Sequence, residues 1–197
     1  MKDLKVRLTF VEPVLGTASA NPELYEEFIG SKRPGGPDPD EVETIPDVDE
    51  EVRKGTTVFH RKDETPILYD YQIKGFFKDA CGMLRRTSDG ASPKLKAYKK
   101  EIDGLIFVTP RHIPMNVNGE GLTFCTRPLR AQTAQGERVS LARSEQAPAG
   151  TTMEFTVSCL KPALERLVEE WLDYGKLRGL GQWRNSGMGR FTYDFID

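Results

Sequence analysis

Leu4, Val6, Leu8 and Phe10 alternate with Lys5, Arg7 and Thr9 at the start of the chain. A period of two buries one face of a strand and wets the other. Pro13 closes that strand. The same alternation returns in Met153, Phe155, Val157 and Cys159 against Glu154, Thr156 and Ser158, and at the end in Phe191, Tyr193 and Phe195 against Thr192 and Asp194. Elsewhere the period changes to three and four. Ile73, Phe76, Phe77, Ala80, Cys81 and Leu84 make one apolar stripe, which predicts a helix over residues 69–86. Asp70 can cap its start, and Arg85 and Arg86 suit the dipole at its end. Gly75 and Gly82 lie on the same side of that helix and cost propensity, which predicts a close-packed neighbour. Leu164, Leu167, Val168, Trp171 and Leu172 predict a second helix that opens at Pro162, runs through Tyr174 and is ended by Gly175. The run 102–108 reads as a buried strand.

Weaker patterns fill the gaps. Asn21-Pro22 starts a short helix over 23–29. Residues 31–51 are rich in proline and carboxylates and read as a loosely held insert. Residues 56–59 make a short strand, and 94–100 a basic patch in a short helix. Residues 123–126 and 138–141 pair as a protruding hairpin around Gly136. The main elements then follow the order strand, helix, strand, strand, helix, strand. That is an α+β, ferredoxin-like (RRM-like) βαββαβ arrangement in a single domain spanning 1–197. Its large insertions follow the first strand (11–68) and separate the second and third strands (109–150). Within the first, 31–55 is the acidic, proline-rich part.

Charge sharpens this division. Residues 1–60 hold 7 basic and 13 acidic side chains, residues 61–150 hold 15 and 10, and residues 151–197 hold 6 and 7, so a net charge of −2 hides a basic middle. Such a middle permits nucleic-acid binding without requiring it, since a lysine face is also an ordinary solvated surface. No apolar run is long enough for a membrane helix and no signal-peptide core follows Met1, so a cytoplasmic protein is expected. Cys81, Cys125 and Cys159 are widely spaced and form no C-x-x-C pair, which argues against a disulfide framework or zinc cluster. The eight carboxylates between Asp38 and Glu51 lack the ligand order of a calcium loop, so neither a metal nor a cofactor is expected.

The densest chemistry lies near the end. Gly179, Gly181, Gly187 and Gly189 form a G-x-G-x5-G-x-G frame between the second helix and the last strand. Exposed N–H groups in a glycine-rich turn suit phosphate oxygens. Arg184 and Arg190 add charge, and Trp183 offers a face for a base. A plain chain reversal is the alternative. The frame is neither a dinucleotide fingerprint, which needs G-x-G-x-x-G after a strand and before a helix, nor a P-loop, which needs Gly-Lys-Ser/Thr. It resembles instead the glycine-rich loop of the RAMP superfamily, the ferredoxin-like RNA-binding proteins of CRISPR systems. Leu180 and Met188 occupy that loop's two apolar slots. The large inserts are most similar to those of the backbone subunit of CRISPR effector complexes, where a thumb hairpin kinks the guide RNA. The sequence also resembles proteins of bacteriophages and prophages.

The resemblance implies a non-catalytic protein that binds single-stranded RNA and either packs side by side along it as a homo-oligomer or joins a CRISPR-type ribonucleoprotein. The expected RNA contacts are Gly179, Gly181, Trp183, Arg184, Gly187, Gly189 and Arg190 of the loop. Arg127, Arg130 and Arg138 of the thumb-like insert and Lys94, Lys96, Lys99 and Lys100 join them. Repeat-processing nucleases of the family use a histidine near the first helix. Here the two histidines, His60 and His112, both lie outside 69–86, so a metal-independent endoribonuclease is the rival. A second rival is a phage-encoded mimic that inhibits an effector complex through protein contacts.

Overall fold

A computed structural model describes residues 1–20, 55–119, 121–133 and 136–197, with backbone alone at 129–133 and 136–140. The helix expected over 23–29 and the insert over 31–51 lie outside the described residues. Strand β1 (Lys2–Phe10) buries Leu4, Val6, Leu8 and Phe10 and exposes Lys5 and Arg7, as its alternation predicts. Two short strands follow, β2 (Val14–Leu15) and β3 (Ala18–Ser19). Then come β4 (Thr56–Val58), β5 (His60–Lys62) and β6 (Thr65–Tyr69). The tight turn between β5 and β6 places Asp63 and Glu64 at φ 49° and 64°, the left-handed pair that a two-residue hairpin turn of the primed type requires.

Helix α1 (Asp70–Leu84) buries Ile73, Phe76, Phe77, Ala80 and Cys81. Its first turn is closed by Gln72, whose Oε1 accepts the Tyr69 N–H at 2.7 Å, while Asp70 accepts the N–H of Tyr71 at 2.8 Å. Helix α2 (Tyr98–Leu105) leads directly into β7 (Ile106–Thr109). The strand expected over 102–108 therefore begins four residues late. Ile102, Leu105 and Ile106 satisfy a helical period as well as a strand, and short apolar runs carry that ambiguity. Contacts decide it: Lys78 pairs with Asp103 at 2.6 Å, Lys74 reaches the Asp103 carbonyl at 3.0 Å, and Ile102 is buried.

Strand β8 (His112–Asn116) precedes a long hairpin of β9 (Thr123–Thr133) and β10 (Gly136–Ala147). The hairpin is the expected one, but its register differs. Residues 123–126 face Gln146 to Arg143, and 138–141 face Ala131 to Pro128, so the two segments share a ladder without opposing each other. The strands are longer than the apolar pattern suggested: the ladder runs unbroken from Thr123 to Thr133 against Gly136 to Gln146.

Strand β11 (Thr152–Cys159) leads into helix α3 (Glu165–Arg178) through a 3₁₀ turn at Pro162–Leu164. Gly175 does not end this helix. It is buried inside it, where a Cβ would overlap the Phe191 ring and stand 2.8 Å from Phe76 Cζ. Gly179 ends the helix instead. Strand β12 (Phe191–Ile196) closes the chain.

The strands β12, β1, β11 and β7 lie side by side in that order, every pair antiparallel. β8 also borders β11 and extends the sheet to β6 and β5. The inward side chains of β1 and β11, the stripes of α1 and α3, and Phe191 form one buried cluster. A second sheet, β2-β10-β4-β3 with β9 along β10, carries the hairpin. The structure is thus mixed α+β with antiparallel sheets, β4 alone running parallel to its neighbour β10 among the described pairs.

Candidate nucleic-acid interface

The four loop glycines all take positive φ: 76° at Gly179, 87° at Gly181, 86° at Gly187 and 71° at Gly189. Two of them are required because the chain crosses itself. A Cβ on Gly179 would stand 2.5 Å from the Met188 carbonyl oxygen, and one on Gly189 would overlap the Leu180 carbonyl. The crossing is pinned by the Leu180 N–H on Gly189 O at 2.9 Å and by the Gly189 N–H on Pro13 O at 2.8 Å. The N–H groups of Gly179, Ser186 and Gly187 are also used within the chain. Five of the loop's backbone donors are thus used within the chain, one of them on Pro13 beyond the end of β1.

The side chains of the loop meet the hairpin and α1. Trp183 sits at φ 54°, left-handed and costly for an aromatic residue, and remains 38% exposed. One face of its ring is covered by Arg127 of β9, whose guanidinium carbon lies 5.0 Å from the ring centroid. Arg127 is only 6% exposed. It donates to Ser144 Oγ at 2.9 Å and to Gln182 Oε1 at 3.2 Å, and its Nε has no partner. The hairpin and the glycine loop are therefore one continuous surface, joined through a buried cation held by neutral oxygens and an indole ring.

Arg184 donates to Asp79 Oδ2 of α1 at 2.7 Å, and Arg178 Nε stands 3.5 Å from the same oxygen. Arg178 also donates to Asn185 Oδ1 at 2.6 Å, and exposed Arg190 donates to the Leu177 carbonyl at 3.1 Å. Lys94 on the turn Ser92–Lys94, Lys96 in the link that follows, and Lys99 and Lys100 on α2 are all exposed. They lie near the C-terminal half of α1, where the Tyr98 hydroxyl approaches Gly82. Arg130 and Arg138 belong to the paired part of the hairpin and face Val139 and Ala131 across it.

Both histidines pack against Tyr69, which no sequence spacing predicted. His60 lies on β5 and His112 on β8, and both rings stand edge-on to Tyr69, at 4.9 and 5.2 Å between centroids. Tyr71 stacks on Tyr69 at 5.1 Å. Burial holds the His60 imidazole below its ordinary pKa. Sequence reasoning missed Asp79 and Arg178, which lie on amphipathic helices with nothing local to mark them, and Gln182, which lies inside the glycine frame itself. Among the described residues no group of three or more His, Cys, Asp or Glu side chains is placed to hold a metal ion. No described helix is long and apolar enough to cross a membrane.

No protein-family model matches this sequence, and no curated protein matches it. Solved structures do. A chain of the Type III-B Cmr-beta complex bound to cognate target RNA superimposes with a TM-score of 0.59 at 12% identity, covering 100% of this chain and 60% of that one. A chain of a Type IV-B CRISPR complex superimposes with a TM-score of 0.50 at 11% identity, covering 99% of this chain and 90% of that one. The chain shares its fold with chains of these two complexes. It spans about 60% of the Cmr-beta chain's length, and at these identities the likeness speaks for the fold.

Proposed function

We propose that this chain is a non-catalytic, single-stranded RNA-binding subunit of a CRISPR-type ribonucleoprotein, built as a RAMP-like domain of the backbone-subunit kind. The strand order β12-β1-β11-β7, with α1 and α3 packed on it, supports the ferredoxin-like reading. The β9–β10 hairpin supports the thumb-like reading of the insert 109–150. The observation that carries the proposal is Trp183: an exposed aromatic in a strained conformation, backed by a buried guanidinium, at the seam between hairpin and glycine loop. An exposed aromatic backed by a cation is suited to stacking on a base, and stacking is worth about 1–3 kcal/mol per base. Arg190 and the lysines of 94–100 supply the salt-sensitive phosphate attraction.

The test is size-exclusion chromatography of protein purified at low salt, with and without ribonuclease, monitored by absorbance of nucleic acid against protein. A large, nucleic-acid-rich species that collapses with ribonuclease is expected. In titrations with labelled single-stranded RNA, Trp183→Ala should weaken binding by about five- to a hundred-fold. A nucleic-acid-free protein with no affinity for added RNA overturns the reading.

The convergence of His60 and His112 on Tyr69 favours one second reading, metal-independent RNA cleavage. Cleavage in EDTA that is lost in His60→Ala would establish it. RNA recovered intact after incubation rules it out.

A further inference from the structure

Alongside the glycine loop runs an open groove of about 270 Å³, with Phe76 and Leu180 among its apolar lining and Gln72, Asp79 and Arg184 among its polar lining. Gly75 of α1 lines it too, and a Cβ built there would meet nothing within 4 Å. Glycine inside a helix costs about 1 kcal/mol against alanine. At Gly175 and Gly82 of this protein a neighbouring side chain crowds the Cβ position and accounts for the glycine. At Gly75, as at Gly104 of α2, nothing within the described chain does, and of the two Gly75 is the one that lines the groove.

The groove ends at a charge arrangement with the same character. Two guanidiniums, Arg184 and Arg178, converge on one carboxylate oxygen of Asp79. The Arg178 Nε is buried and makes no hydrogen bond; its contact with Asp79 is the long one at 3.5 Å. Two cations and one anion leave a net positive rim with a spare donor.

We infer that this groove is a subsite for one nucleotide of the bound RNA. A phosphate oxygen replaces Asp79 Oδ2 between Arg178 and Arg184, and the attached sugar and base lie in the groove against Gly75, over Phe76 and Leu180. Arg–carboxylate and Arg–phosphate pairs use the same planar donor geometry, so the carboxylate stands in for the phosphate in the free protein and competes with it in the complex. The volume sits just below the range of ordinary small-ligand pockets, which suits a single nucleotide. Gly75 is then glycine because the occupant, rather than the protein, fills the space above it. This inference rests on the RNA-binding reading and gives it a specific site within the surface.

The experiment is a titration of labelled single-stranded RNA of mixed sequence into wild type, Asp79→Asn, Gly75→Leu and Arg184→Ala, between about 50 and 200 mM salt. Asp79→Asn keeps the side-chain shape and removes the competing charge. It should bind RNA about two- to five-fold more tightly, the scale of losing one exposed ion-pair competitor. Gly75→Leu should fold, since its side chain enters open space, and should bind more weakly. Arg184→Ala should lower the salt slope by about 0.7, one phosphate contact on a single strand. Wild-type binding with Asp79→Asn no tighter, or with Gly75→Leu unchanged, overturns the subsite and leaves the RNA reading standing. Absence of binding by both wild type and Asp79→Asn overturns the RNA reading itself.

Discussion

The loop after α3 and the middle of α1 both carry glycines, and the two regions use them in opposite ways. At Gly179 and Gly189 the absent side chain is replaced by the protein's own backbone, which crosses itself there and leaves no room for a Cβ. At Gly75 the absent side chain leaves open space beside a groove. The loop glycines thus serve the fold first. They let a helix and an edge strand be joined by a crossing that also ties both to the end of β1. The helix glycine lowers the stability of the fold and returns nothing to it internally. A glycine motif is therefore not in itself a ligand cradle. Its surroundings decide whether backbone or ligand occupies the missing volume.

The sharpest way to break this contrast is Gly189→Ala. The new Cβ would meet fixed backbone at a positive φ, so nothing flexible can yield. Strain and overpacking together should cost about 2–5 kcal/mol of unfolding free energy, measured by urea denaturation. A variant as stable as wild type would mean that the crossing is not what the glycine serves. Gly75→Ala tests the other side and should move the same curve the opposite way, by about 1 kcal/mol of added stability. A loss there would reveal packing over α1 and remove the groove's meaning.

The smallest effect concerns pH. Burial lowers the His60 pKa below its ordinary 6.5, so as pH falls the folded protein takes up this proton later than the unfolded chain. The contribution to stability is complete above about pH 6.5 and declines below it, through the lower folded value. Thermal melts should therefore fall in midpoint as pH drops from about 6.5. His60→Phe, which keeps a ring against Tyr69, should flatten that slope. An unchanged slope would assign it to the carboxylates.

Local period alone specified a good part of this protein. Alternation in β1 and β11 and the stripes of α1 and α3 were legible because each element writes its own burial into its spacing, whereas β12 buries Phe191 and leaves Phe195 exposed. The glycine frame was legible as a place where the backbone does something unusual. Tertiary structure decided what that was. The continuation of α3 past Gly175 to Arg178, the helical start of the 102–108 run, the register of β9 on β10, and the meetings of Asp79 with Arg184, Arg127 with Trp183 and His60 with Tyr69 all depend on residues remote in the chain. A short apolar run suits two periods, and a charged residue on an amphipathic face looks the same whether water or a partner lies beyond it. Which of these holds is settled when the elements pack, because burial and charge pairing are properties of the assembled surface rather than of any one segment.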